Sequence, residues 1–190
     1  SSFVRLYPEV EVQLHLTDRP INLPDDAIDV GIRFGELPDS RLVARKIAAN
    51  RRRLCAAPSY LEAFGHPETP KDLMQHNCIV LRQNDAAFGI WRLSRGKQAE
   101  SIKVRGSLST NDGEVAPNWA LDGHGILMRA EWDIERHLKN GRLVQVLPQY
   151  FTPDADIYAV YPQRHQLAAR VRAFVDFVAV SFGQRAAVAM

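Results

Sequence analysis

The sequence predicts an α/β fold, and three observations carry that prediction. Apolar residues recur at every second position in several short runs, the period of a half-buried strand. Between those runs lie segments with helical spacing and recognisable start and stop residues. One stretch, Gly89 to Leu108, reads instead as an antiparallel hairpin with one wet face.

Taken in order, Phe3, Val4, Leu6 and Tyr7 open the chain in the register of a helix that Pro8 breaks. Val10, Val12, Leu14 and Leu16 then alternate with Glu11, Gln13 and His15, which predicts a strand. After a polar loop, Ile28, Val30, Ile32 and Phe34 alternate with Asp29, Gly31 and Arg33, and this second strand ends in a charge, an aromatic ring and Gly35. Such an ending suits a pocket rim better than a core. Residues 42–47 and 51–57 predict two further strands. Pro58-Ser59 starts a short helix that Gly65 stops. Thr69-Pro70-Lys71-Asp72 starts another, with threonine at the N-cap, proline at the first position and an acid completing a capping box.

Cys78 to Leu81 is the next strand. Ile90 to Leu93 enters a turn at Ser94-Arg95-Gly96-Lys97, and Ile102, Val104 and Leu108 alternate on the return. Ser109-Thr110-Asn111-Asp112 offers N-caps for a helix carrying Val115, Trp119 and Leu121, stopped at Gly123 or Gly125. Pro117 fits its interior poorly, so an irregular first turn or a later start is expected. A strand at 126–128, a helix at 130–140 closed by Gly141, and strands at 143–147 and 157–161 follow. The last helix repeats Leu167, Val171, Phe174 and Val178 on one face, with fraying expected after Phe182.

The 190 residues suffice for one large domain or two small lobes. A formal charge of +2, from 24 basic and 22 acidic residues, leaves no basic stripe for nucleic acid. The one basic run, Arg51-Arg52-Arg53, reads as the start of a strand. Cys55 and Cys78 sit in apolar runs and read as buried free thiols. No stretch approaches a membrane span, and no signal peptide is legible, so a soluble cytoplasmic protein is expected. The start at Ser1-Ser2-Phe3, already in helical register and without an initiator methionine, leads us to expect a further segment upstream.

Several of these stretches, in their order and spacing, resemble the effector-binding domain of LysR-type transcription regulators. They are Ile28 to Gly35, Leu37-Pro38-Asp39-Ser40-Arg41-Leu42-Val43-Ala44-Arg45, Leu54 to Leu61, His76-Asn77-Cys78-Ile79, Asn111-Asp112, Leu121 to Ile126, and Gly141-Arg142-Leu143-Val144. The resemblance implies two Rossmann-like lobes joined by two crossover strands, a periplasmic-binding-protein-like (type II) fold. One lobe would hold 1–79 plus 162–190 and the other 80–161, with crossovers near Val80-Leu81 and Val160-Tyr161. The family's N-terminal winged helix-turn-helix is absent from this chain, so DNA would be reached only through that missing part.

The resemblance further implies a small-molecule effector between the lobes and no catalysis, cofactor or metal. Carried over by position, the ligand-binding residues are Ser1, Ser2, Arg33, Phe34, Gly35, Leu81, Arg82, Thr110, Asn111 and Asp112. Helix N-termini and the two arginines would suit an anionic metabolite. Asp112 would repel one unless it caps its own helix, and capping is its first reading. A surface ion pair is the rival reading for Arg33, and core for Phe34. A ligand touching both lobes would act through its difference in affinity for open and closed arrangements. A homodimer or tetramer is implied, with Phe3, Tyr7, Val12 and Leu14 of one chain meeting Trp132 and Ile134 of its mate; lobe core is the rival reading for the last two.

Other chemistries find little support. Ser94-Arg95-Gly96-Lys97 has the S-x-x-K spacing of serine acyl-enzymes but lies at a hairpin turn rather than opening a helix. The six histidines show no metal-ligand spacing. Gly123-His124-Gly125 follows a helix, not a strand, and reads as its stop rather than a phosphate loop. An exported solute-binding protein of the same fold is the alternative function, and the residues preceding Ser1 would separate the two: a helix-turn-helix or an apolar leader.

Overall fold

The computed structural model describes residues 2–16, 28–35, 42–82, 89–163 and 168–188, with side chains to 182 in the last segment. In chain order the elements are α1 (Ser2–Leu6), β1 (Gly31–Phe34), β2 (Leu42–Ala48), β3 (Arg52–Ala56), α2 (Pro58–Phe64), a 3-10 turn (Pro70–Met74), β4 (Cys78–Leu81), β5 (Ile90–Arg95), β6 (Gln98–Lys103), β7 (Ser109–Thr110), α3 (Val115–Leu121), β8 (Ile126–Ala130), α4 (Glu131–Lys139), β9 (Val144–Val146), β10 (Ile157–Pro162) and α5 (Ala169–Val188). The alternation predicted for an α/β chain is present.

The chain forms two units, Ser1–Ala49 with Ala155–Met190 (unit 1) and Asn50–Asp154 (unit 2). This corrects the expected division at 79/80 and 161/162. β4 is an interior strand of unit 2, hydrogen-bonded to β7 and β8, and β10 is the central strand of unit 1, so neither is a crossover. The chain passes between units at 49/50 and 154/155 instead.

Unit 1 is an antiparallel sheet in the order β1-β10-β2. Its core joins Ile47, Ile157, Ala159 and Tyr161 of the sheet to Val171 and Val175 of α5. Val171 and the partly buried Val178 lie on the helical face read from the sequence, Val175 falls outside that reading, and α5 continues to Val188, beyond the predicted fraying point. Leu167, the first residue of that stripe, lies outside the described residues. α1 is held by Phe3, whose ring meets Phe174 edge-on at 5.2 Å and Phe177 at 5.3 Å. β1 begins at Gly31, three residues later than predicted. The segment 10–16 forms no strand: Val12, Leu14 and Leu16 are exposed, so alternation there marks no sheet neighbour among the described residues.

Unit 2 contains a five-stranded sheet in the order β7-β4-β8-β3-β9, buried on both faces. Period-two side chains divide it cleanly. Leu54, Cys78, Val80 and Ile126 pack on one face with Tyr60 and Leu61 of α2, Leu73 of the 3-10 turn and Trp91 and Leu93 of the hairpin β5–β6. Cys55, Ile79 and Leu127 pack on the other with Ala116 and Ala120 of α3 and Ile134 of α4. Both cysteines are buried and free, as read, and burial pushes each thiol pKa up to about 12.

Several predicted caps are realised. Thr69 and Asp72 form the capping box, Gly65 closes α2 with a hydrogen bond to Leu61, and Gly141 follows α4. Pro117 is only the third residue of α3, where an intrahelical N–H donor is not needed, and the helix starts at Val115, the later start that is one of the two expected outcomes. Ser94 and Arg95 belong to β5, so the hairpin turn is confined to Gly96-Lys97.

Candidate functional site

In unit 2 the predicted site residues from two distant stretches are brought together. β4 and β7 run parallel, with Val80 opposite Ser109 and Leu81 opposite Thr110. The Arg82 N–H donates to the Thr110 carbonyl at 2.7 Å, extending the ladder one residue past the strand. Leu81, Arg82, Thr110, Asn111 and Asp112 therefore share one corner, at the carboxyl ends of parallel strands. That is where open α/β sheets place ligands. The corner exists because β4 is apolar throughout and ends on a charge, while β7 is two residues long and gives way at once to capping residues.

Asp112 does what its position before α3 suggests. Its Oδ1 accepts from Glu114 N–H at 2.7 Å and Val115 N–H at 3.0 Å, while its own N–H donates to Thr110 Oγ1 at 2.9 Å. The two backbone hydrogen bonds, and to a lesser degree the Arg129 charge, hold its carboxyl below the usual carboxylate range. An anion arriving at this helix start meets a carboxylate rather than bare N–H groups. The sequence argument for anion recognition at α3 is weakened accordingly.

Arg129 is a residue that sequence reasoning missed. It projects from β8 with a guanidinium nitrogen 2.6 Å from Asp133 of α4, and its field reaches Asp112. Gly113 makes room for it: a Cβ there would lie 2.4 Å from the guanidinium. The only signal in the sequence was an arginine inside an otherwise apolar strand. A second missed group is Asn77, whose Oδ1 accepts from Ser107 N–H at 2.9 Å, and whose N–H donates to the Tyr60 hydroxyl at 2.9 Å. It ties the loop ahead of β7 to the base of β4.

In unit 1, Arg33, Phe34 and Gly35 end β1, with Arg33 opposite Tyr158 and Phe34 opposite Ile157 of β10. Gly35 turns away with φ +80 while its N–H donates to the Asp156 carbonyl at 2.9 Å. Phe34 is 45% exposed, which argues against the core reading. Ser2 opens α1 and is exposed; Ser1 lies outside the described residues. Among the proposed dimer contacts, Tyr7, Val12, Leu14 and Trp132 are exposed. Phe3 and Ile134 are buried in the cores of their own units and cannot meet a partner, which corrects both assignments. Among the described residues no group of His, Cys, Asp and Glu is arranged to hold a metal ion, and no helix is long and apolar enough to cross a membrane.

The chain is mixed α/β, and the solved structures it resembles are regulatory domains of LysR-type regulators, which places it in the periplasmic-binding-protein-like type II fold class. Residues 1–182 match the LysR substrate binding domain, and the chain belongs to that family as an effector-sensing domain. It is 42% identical over 186 residues to the HTH-type transcriptional activator TtdR of Escherichia coli K12, and 38% identical over 183 residues to the HTH-type transcriptional regulator DmlR of the same strain. These alignments cover 97% and 96% of this chain but only 59% of each relative. Among solved structures, CrgA, a LysR-type transcriptional regulator from Neisseria meningitidis, superimposes with a TM-score of 0.83 at 27% identity, over 96% of this chain and 62% of its own. The Vibrio cholerae virulence activator AphB does so at 0.79 and 27%, over 95% and 61%. The relatives named here are regulators, which favours the sensing function over an exported solute-binding protein.

Proposed function

We propose that this chain is the sensing part of a DNA-binding transcription regulator in the cytoplasm, and that it works by binding a small anionic metabolite without chemistry. The proposed effector-binding residues are Ser1, Ser2, Arg33, Phe34, Gly35, Leu81, Arg82, Thr110 and Asn111. Asp112 serves as helix cap and as acceptor for a hydroxyl or other donor on the ligand. The match of residues 1–182 to the LysR substrate binding domain is the observation that carries this reading. The meeting of 81–82 with 110–112 at the ends of parallel strands supports it.

A bound effector shifts the arrangement of the two units by the difference in its affinity for each state. The shift passes to DNA through a separate domain and through a homodimer or tetramer in which Tyr7, Val12 and Leu14 meet Trp132 of a second copy. Calorimetric titration with a panel of small carboxylates tests the proposal. Saturable binding that Arg33→Gln and Arg82→Gln each weaken about tenfold is expected, the loss of one charge-assisted contact. Binding confined to neutral or cationic ligands overturns the anionic assignment.

A further inference from the structure

Arg129 stands where the effector corner of unit 2 meets the start of α4. It is the penultimate residue of β8, and its guanidinium pairs at 2.6 Å with Asp133, the third residue of α4. The two side chains are only 17% and 26% exposed. On its other side the guanidinium lies against Gly113. A Cβ there would sit 3.0 Å from the Arg129 Cζ, 3.1 Å from Nη1 and nearer still to Nη2, and these are the nearest heavy atoms it would meet. Gly113 in turn separates Asp112, whose carboxylate feels the Arg129 charge, from Glu114, whose charge reaches Asp133. One guanidinium is thus in contact with both the turn ahead of α3 and the first turn of α4.

Both ends of this contact are anchored. The turn is bound to α3 through Asp112 Oδ1, which accepts from the Glu114 and Val115 N–H groups. α4 is held at its start by Glu131, whose N–H donates to the Arg51 carbonyl at 2.9 Å and whose carboxylate lies 3.1 Å from Arg53. Ile134 packs with Ala116 and Ala120 of α3, while Trp132, the residue before Asp133, is 41% exposed. Close packing leaves the guanidinium no slack against Gly113, and a charge-assisted bond ties it to Asp133. A displacement of the turn toward β8 has to move the guanidinium, and the guanidinium moves Asp133.

We propose that Arg129 is a positioning residue linking the effector corner to the pairing surface: movement of the 112–114 turn is handed through its guanidinium to Asp133 and so to the exposed Trp132 of α4. This rests on the effector reading for what moves the turn, and on the pairing of copies for what α4 then alters. The link itself belongs to unit 2 and is tested without ligand.

Gly113→Ala is the perturbation, and side-chain carboxyl and backbone amide NMR of the whole chain read it at α4. Gly113 has no left-handed φ, and the atoms in the way are the far end of one side chain, so this variant keeps its fold. In the parent, burial pushes the Asp133 carboxyl up, the Arg129 guanidinium pulls it back and the Glu114 charge pushes it up again. Displacing the guanidinium raises the Asp133 midpoint by about one pH unit, the low end of what an adjacent opposite charge contributes, and shifts the Trp132, Asp133 and Ile134 amides. In the Arg129→Gln background the same substitution leaves that midpoint where it is, because the carrier is gone. Asp133→Asn, which keeps the shape of the side chain, reads the link in reverse as amide shifts at Glu114 and Val115. An Asp133 midpoint that Gly113→Ala does not move overturns the link, as does an equal rise in the Arg129→Gln background. Asp133→Asn shifts confined to 129–137 overturn it as well. None of these results touches the effector proposal, and a carboxylate panel that fails to bind removes that proposal while leaving these readouts as they are.

Discussion

Replacing Gly106 by alanine tests how the corner of β4 and β7 is held. A Cβ at residue 106 would lie 1.9 Å from the Cys78 carbonyl oxygen, 2.7 Å from its carbon and 2.9 Å from its nitrogen. All three are backbone atoms of an interior strand and cannot swing aside. Relief to an ordinary contact requires one chain to withdraw by more than an ångström. That movement stretches the Cys78 N–H to Arg105 hydrogen bond of 2.8 Å and the Val80 N–H to Leu108 hydrogen bond of 3.2 Å. Two buried backbone bonds at about 1 kcal/mol each, added to an overpacking cost of about 1–3 kcal/mol, give roughly 3–5 kcal/mol. At about 2–4 °C per kcal/mol for a chain of this length, the apparent Tm falls by roughly 10 °C. Differential scanning calorimetry of Gly106→Ala beside Gly96→Ala reads the effect. Gly96 has φ +60 with open space around it, so its variant carries backbone strain alone, about 1–2 kcal/mol. Equal small shifts for both variants would refute the close-approach argument.

Three other outcomes are expected. Asp72 and Asp112 are both held below the ordinary carboxylate pKa by backbone hydrogen bonds, so their contribution to stability is present above about pH 4 and is lost as pH falls through the lowered folded-state values; a Tm–pH profile of Asp72→Asn with Asp112→Asn is flatter on the acid side than that of the parent. Cys55 and Cys78, with pKa values pushed to about 12 by burial, stay unlabelled by a disulfide reagent at neutral pH, and both react once denaturant unfolds the chain. Leu14 is 79% exposed, so Leu14→Glu keeps the Tm and, under the proposed pairing of two copies, shifts light-scattering mass toward the monomer.

Local chemistry was legible where a single residue type decides the backbone. The capping box at Thr69 and Asp72, the stop at Gly65 and the hairpin around Gly96 all follow from side-chain reach or left-handed φ. The meeting of 81–82 with 110–112 was legible only through family resemblance, because parallel pairing leaves no turn signal between its strands. The unit boundary was missed for a related reason. The run Ala48-Ala49-Asn50-Arg51 between β2 and β3 has no proline, glycine or serine to mark a passage from one unit to the other. At 10–16 alternation was real and misleading, since exposed Val12, Leu14 and Leu16 carry the same period as a buried strand face. Arg129 was invisible because its partners, Asp112 and Asp133, are assembled only by the sheet and the two helices around it.

In sequence, unit 2 is one uninterrupted stretch between the two segments of unit 1, and this orders how the protein can be made. During synthesis Asn50–Asp154 can complete its own sheet before β10 has left the ribosome. The central strand of unit 1 arrives last, and β1 and β2 wait for it without a mutual ladder, since each pairs with β10 and not with the other. A finished insert brings the two flanking ends nearer than a loose chain of the same length would, lowering the entropic cost of closing the outer sheet. Refolding of the outer unit should therefore lag behind the inner one, with edges at β1 and β2 open to misplaced strands during the interval.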